Sequence, residues 1–388
     1  MKVLHIIASV DPASGGPAEY LRNITMAMAE RRHDAEIVCL DPSGVDFLRL
    51  YSVPIAAMGR WAGPYGFSPE LGAWITDNAD RFDVAVIHGL WNHAAIGPRR
   101  ALRAAGLPYV VFAHGMLDPW CAGQHRLKHL LKRLVWSFAQ GPVLRDAHSV
   151  LFTCAEERRL AEGAFWGHAF TSRIVAFGTA APPPADPAQI AAFRAAVPSL
   201  GERRYLLFLG RLHPKKGLDL LVEAFAGVAP SHPALDLVIA GPDPVGLQSK
   251  LMARAHALEI GTRIHWPGML NGAAKWGAFR GADAFVLPSH QENFGIAVAE
   301  AMACRVPVLI SNKVNIWREV EASGGGLVAN DDAASFERLL ARWLALPEAE
   351  KLSMGEAAGQ GFAQHFHIAI AATDLIAALA EACGRSGA

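Results

Sequence analysis

The chain reads as an α/β protein of two Rossmann-like domains, and three features of the sequence predict it. Short apolar runs alternate with helical stretches from end to end, several of those runs are apolar on both faces, and a proline-rich segment breaks the pattern near the middle. A length of 388 residues is too great for one ordinary core and suits two. Hydrophobic residues make up 52% of the chain, enough to fill both.

Taken in order, the strand candidates of the first half are Val3–Ala8, Ala35–Leu40, Asp83–His88, Tyr109–His114 and Ser149–Thr153. Those of the second half are Tyr205–Gly210, Leu235–Gly241, Arg263–Trp266, Ala284–Pro288 and Val306–Ile310. Between the halves lies AAPPPADP, Ala180–Pro187, whose four prolines suit neither a helix interior nor a central strand, so it is read as the linker. This places one domain at 1–180 and the other at 188–363. Domains of this kind take ligands at the carboxyl ends of their strands, and the expectation is two of them facing each other across a cleft.

Composition narrows the function. Lys plus Arg equals Asp plus Glu at 36 each, so no overall positive field favours nucleic acid as a partner. The five cysteines are scattered without a C-x-x-C pair, against a zinc site or a disulfide framework, and are expected to be reduced and mostly buried. The opening MKVLHIIASV starts a strand at once and leaves no room for a signal-peptide apolar region. No apolar run is long enough to cross a membrane. The expected location is the cytoplasm.

The run QENFGIAVAE carries the sharpest chemical signal. It follows a buried strand and opens a helix, where free backbone N–H groups favour an anion and Gly295 allows close approach of the backbone to a phosphate. Glu292 before the helix and Glu300 within it can accept hydrogen bonds from the hydroxyls of one sugar or ribose, although a carboxylate at a helix opening also serves as a plain cap. In GRLHPKKG, after another strand, Arg211, Lys215 and Lys216 lie between Gly210 and Gly217, a pattern suited to a diphosphate and equally to a solvated basic turn. The segment SGGPAEY after the first strand holds Gly15 and Gly16 ahead of a helix, without the G-x-G-x-x-G dinucleotide fingerprint. His88 and His114 each follow a strand and precede Gly, where an imidazole sits at a site mouth or caps a nearby carbonyl.

Glu-x7-Glu in QENFGIAVAE and Gly-Arg-Leu…Lys-Gly in GRLHPKKG resemble the signatures of retaining glycosyltransferases of family 4, which have the GT-B fold, and the likeness runs over nearly the whole chain. The resemblance implies that Glu300 holds a nucleotide ribose, that Glu292 with the backbone of Phe294 and Gly295 meets the donor sugar, and that Arg211 and Lys216 clamp the diphosphate. Lys215 has no match in the motif and is expected to be exposed. It further implies a glycine-rich loop at Gly15 and Gly16, a His near the donor sugar for which His114 is the candidate, and backbone near Met269 that reads the base. Trp266 is expected in the core. Asp118 and Trp120, in an HGMLDPW run similar to polysaccharide-assembly members, are placed on the acceptor side. The family's last helix returns to the first domain, so the tail from about Gln364 is expected there. One departure stands out: AFGTA, Ala176–Ala180, replaces the Pro-Asn-Gly-Val-Asp of many relatives and removes any inference about the donor sugar from that loop.

The implied activity is retaining transfer of a sugar from a nucleotide-diphosphate donor to a glycan or lipid-linked glycan, as in surface polysaccharide assembly, with the departing phosphate taking the acceptor's proton. The nucleotide sugar is a co-substrate, and neither cofactor nor metal is expected. The alternatives are a glycosidase, which has no use for the basic loop, a nucleotide-sugar epimerase, and an inactive GT-B binding partner. Finally, HRLKHLLKRLVWSF, His125–Phe138, combines leucines at helical spacing with the densest basic stretch of the chain. It reads either as a domain helix with its leucines in the core or as a peripheral contact with anionic membrane at the inner face.

Overall fold

The computed structural model describes residues 1–61, 63, 65–119 and 126–384. The chain forms two compact units, Met1–Gly178 with Ile368–Ala388, and Thr179–His367. Among the described residues the first unit holds a seven-stranded sheet in the order β3-β2-β1-β4-β5-β6-β7, and the second a six-stranded sheet in the order β10-β9-β8-β11-β12-β13. All the pairings are parallel.

In the first unit the strands are β1 Lys2–Ile7, β2 Asp34–Cys39, β3 Ile55–Ala57, β4 Val84–His88, β5 Tyr109–Phe112, β6 Ser149–Phe152 and β7 Ser172–Ile174. Val3, Leu4, Val86, Ile87, Val110 and Val111 are fully buried, as strands covered by helices on both faces must be. The chain runs outward from β1 through β2 to β3, then returns to lay β4 on the other side of β1. That reversal leaves a crevice above the carboxyl ends of β1 and β4. The terminal helix Ile368–Ala382 belongs to this unit, where Asp374 accepts a hydrogen bond from the Ala176 backbone N–H (3.1 Å) and Arg173 pairs with Glu381.

In the second unit β8 Arg204–Leu209, β9 Leu235–Ala240, β10 Ile264–Gly268, β11 Ala284–Leu287, β12 Val308–Ser311 and β13 Gly326–Ala329 repeat the plan, with the reversal between β8 and β11. The proline-rich segment is not wholly a linker. Pro187 already lies in the first turn of the helix Pro187–Ala196, which Asp186 caps by accepting from the Ala188 N–H at 2.8 Å. That helix packs closely on Gly272–Arg280, because a side chain at Gly277 would meet the Gln189 carbonyl oxygen at 1.9 Å. Of the four cysteines among the described residues, Cys39 and Cys154 are buried and Cys304 and Cys383 half-buried; Cys121 lies outside the described residues.

Candidate functional site

The second unit gathers most of the proposed binding residues at its strand reversal. After β8 the chain passes Gly210 and Arg211, makes a short 3-10 turn at Pro214–Lys216 and enters the helix Leu218–Val228 through Gly217. Gly217 has a left-handed φ of 64°, and a Cβ there would stand 2.0 Å from the Pro288 carbonyl oxygen, so only glycine lets this turn lie against the loop after β11. That second loop ends at Gly295, φ 76°, which opens the helix Ile296–Ala303 without a side-chain cap. The two loops are bonded together: the Lys215 carbonyl accepts from the His290 N–H (2.8 Å), and the Lys216 ammonium pairs with the Glu292 carboxylate. Glu292 is itself anchored by backbone bonds to Lys313 and Asn315.

Glu300, on that helix, is buried at 6% exposure, and its carboxylate accepts from the Lys275 ammonium at 2.6 Å. Lys275 also lies over the Trp276 ring, 4.7 Å from its centre. No sequence signal marks Lys275, because nothing local ties a helix residue to a carboxylate 25 positions away. Phe294 is buried against Phe366, with ring centres 5.6 Å apart, so its side chain is an anchor and the backbone at Phe294 and Gly295 is the part that can face a ligand. Arg211 is exposed and forms no ion pair among the described residues. Met269 is 65% exposed on the turn after β10. Two expectations are corrected here. Lys215 is half-buried, its ammonium donating to Gln291 Oε1 at 3.1 Å, and Trp266 is half-buried instead of sealed in the core, since β10 lies at the edge of its sheet.

The first unit has its own cavity of about 380 Å3 above β1 and β4, lined by Ser9, Asp11, Ser14, Asn92, His88 and His114 among others. Asp41 holds the lining residue Ser9 in place, accepting from Ser9 Oγ and the Val10 N–H, both at 2.7 Å. Gly15, φ 97°, caps the helix Gly16–Ala29 between the cavity residues Ser14 and Pro17, so Gly15 and Gly16 sit at its edge. They belong to the other unit from Glu292, Glu300, Arg211, Lys216 and Met269.

His88 is more central here than its sequence context suggested. His5 on β1, His88 at the end of β4 and His114 in the turn after β5 form a chain of imidazoles: His5 Nδ1 to His88 Nε2 is 3.0 Å, and His88 Nδ1 to His114 Nε2 is 3.0 Å. Burial pushes His5 and His114 down to about 3, and holds His88 well below 6.5 with the two neighbouring imidazoles adding to the effect. All three are neutral near pH 7. His114 and Gly115 are both left-handed, at φ 50° and 74°, a turn fixed by the buried Glu157, whose carboxylate accepts from the Gly115 N–H (2.5 Å) and the Thr153 N–H (2.6 Å). The ring of Phe112 lies parallel to His114 at 4.6 Å. His5 was missed by sequence reasoning, and the available signal was a lone polar residue in the apolar run VLHIIA.

Asp118 is half-buried beyond this turn, and Trp120 lies outside the described residues, as does His125. The basic segment does form a helix, Arg126–Val135, continued by a π turn at Trp136–Gln140. Three of its apolar side chains are turned outward. Leu131, Leu134 and Phe138 are 62%, 55% and 82% exposed, while Trp136 is buried and Lys132 lies 4.9 Å over the Trp91 ring.

Residues 189–360 match the family model for Glycosyl transferases group 1, and residues 15–175 that for a Glycosyl transferase 4-like domain. A D-inositol 3-phosphate glycosyltransferase of Salinispora tropica is 32% identical over 192 residues, which cover 47% of this chain and 39% of that protein. The chain thus matches well under half the length of that relative. Among solved structures, HepE of Anabaena, in complex with UDP and glucose, superposes with a TM-score of 0.77 at 18% identity, covering 98% of this chain and 100% of HepE. WaaG, a glycosyltransferase involved in lipopolysaccharide biosynthesis, does so with a TM-score of 0.66 at 16% identity, covering 99% and 98% of the two chains.

Proposed function

We propose, for a chain whose two halves match glycosyltransferase families and which has the GT-B fold, that it transfers a sugar from a nucleotide-diphosphate donor to a hydroxyl of a glycan or lipid-linked glycan, with retention at the anomeric carbon. The single observation that carries this reading is the pairing of two loops at the β8–β11 reversal, where two left-handed glycines open two helices beside Lys216, Glu292 and Glu300. Helix openings and cations suit a diphosphate, and the carboxylates suit hydroxyls. In this reading Glu300 holds the ribose, Arg211 and Lys216 hold the diphosphate, Met269 backbone meets the base, and Glu292 with the Phe294–Gly295 backbone meets the sugar. HepE, described in complexes with UDP and with UDP-glucose, supports a uridine donor class by fold.

The chemistry is positioning and charge stabilisation: as the glycosidic bond lengthens, Arg211 and Lys216 neutralise the leaving diphosphate, whose oxygen takes the proton of the attacking hydroxyl. His114, Gly15 and Gly16 act from the first unit, and Asp118 and Trp120 belong to the acceptor side. The outward apolar stripe Leu131, Leu134 and Phe138, on a basic helix, supports peripheral contact with an anionic membrane that carries a lipid-linked acceptor. WaaG's role in lipopolysaccharide biosynthesis makes surface polysaccharide assembly the matching context. The test is incubation with a panel of nucleotide sugars, with and without glycan and lipid-linked acceptors. Release of nucleoside diphosphate together with an α-linked product is expected; an epimerised nucleotide sugar formed without any acceptor overturns the proposal.

A further inference from the structure

The chain of three imidazoles admits only two arrangements of protons. Each neutral ring carries one N–H, and each of the two contacts holds one proton. In the first arrangement His5 donates from Nδ1 to His88 Nε2, His88 donates from Nδ1 to His114 Nε2, and the proton of His114 is on Nδ1. In the second every donor is reversed, and His5 carries its proton on Nε2. That atom is buried and has no hydrogen-bond partner among the described residues. The second arrangement therefore strands a buried N–H, whereas the first leaves only an unused lone pair. Stranded buried N–H groups are the rarer and costlier of the two.

We infer that His5 and His88 are positioning residues that hold His114 as the neutral tautomer protonated on Nδ1, a hydrogen-bond donor offered to a ligand oxygen in the cavity of the first unit. His114 Nε2 is taken by His88, so Nδ1 is the ring nitrogen left for a ligand, and among the described residues it has no protein partner. The stacked Phe112 ring and the turn held by Glu157 fix the direction of the donor. A neutral N–H donates to a hydroxyl or phosphate oxygen without adding a charge, and it neither delivers nor removes a proton during reaction. His114 thus orients a substrate; it is not an acid or a base. The identity of that oxygen as one of a nucleotide sugar rests on the function proposed above, whereas the tautomer does not.

Nitrogen-15 NMR of histidine-labelled protein without ligand at pH 7 tests the tautomer, with His114→Asn identifying the His114 signals. A pyrrole-type Nδ1 and a pyridine-type Nε2 are expected; a protonated Nε2 overturns the inference even if sugar transfer is observed. The expected tautomer in a protein that transfers no sugar leaves the inference standing and removes the function instead. His5→Leu is expected to give a mixture of His114 tautomers and lower kcat by about tenfold, the worth of one neutral hydrogen bond, and His5→Gln, whose amide N–H can replace the lost donor, restores most of it. An unchanged His114 tautomer in folded His5→Leu overturns the relay. If that variant does not fold, the wild-type spectrum decides alone.

Discussion

Glu300 and Lys216 are each held by an opposite charge, Lys275 at 2.6 Å and Glu292 respectively, so each side chain is oriented before a donor arrives. Glu300→Gln keeps the shape and removes the charge, and Lys216→Met keeps most of the unbranched stem without the ammonium. Each is expected to weaken donor binding or kcat/KM by about ten- to a hundredfold, the range for one charge-assisted hydrogen bond. Calorimetry with a nucleoside diphosphate and initial-rate kinetics measure this, and unchanged values in a folded Glu300→Gln protein remove the ribose assignment. The imidazole chain gives a second prediction at this scale. The folded values of His5 and His114 lie near 3 and the ordinary value is 6.5, so the unfolded chain binds more protons in between. Stability is complete above about 6.5 and falls as pH drops below it, by about 1.4 kcal/mol per pH unit for each imidazole that stays neutral. Urea unfolding of the wild type and of His5→Leu between pH 7 and 5 isolates the share of His5 from that of the other titrating groups; equal slopes in the two contradict the buried neutral assignment.

At the scale of elements, sequence periodicity located the central strands and missed three: β3 IAA, β7 SRI and β13 GLVA. All three are sheet edges of three or four residues, half-covered and too short for an alternation to repeat. The basic helix shows the opposite failure. Its period is plain, yet period alone does not say which face is inward, and Leu131, Leu134 and Phe138 proved to be outward. Exposed apolar residues in a stripe beside Arg133 fit a lipid surface, where burying one Phe is worth about 1.5–3 kcal/mol. Phe138→Asp is therefore expected to lower affinity for vesicles rich in phosphatidylglycerol by at least about tenfold, and Arg133→Glu to reduce it further at low salt. Sedimentation with anionic and neutral vesicles distinguishes the outcomes. Equal binding by wild type and Phe138→Asp excludes the stripe as the contact.

At the scale of the whole molecule, each unit places its polar cluster where its strand order reverses: β1 against β4 in the first, β8 against β11 in the second. This is the place where neighbouring loops diverge to opposite faces and leave backbone N–H groups exposed to a ligand. In the proposed reading a diphosphate is balanced in the second unit by Arg211, Lys216 and two helix openings. Transfer is accordingly expected to persist in EDTA with no gain on adding magnesium or manganese. Loss of activity in chelator, restored by either cation, would falsify the clamp assigned to these residues.

The sequence by itself determined the class of fold, because runs such as VVF and LLF, apolar on both faces, have no stable home except parallel strands covered on both sides. It also marked Glu292, Glu300, Gly295 and Lys216, since strand end, glycine and helix start are neighbours along the chain and their geometry is local. Tertiary structure alone decided who meets whom. Lys216 reaches Glu292 across 76 residues, Lys275 reaches Glu300 across 25, and His5 reaches His88 across 83. Such pairings depend on strand order and on the close approach that Gly217 permits, and neither is written in any local period. The outward direction of Leu131, Leu134 and Phe138 on the basic helix was likewise visible only in the tertiary structure, because a helical period fixes which residues share a face and not where that face points.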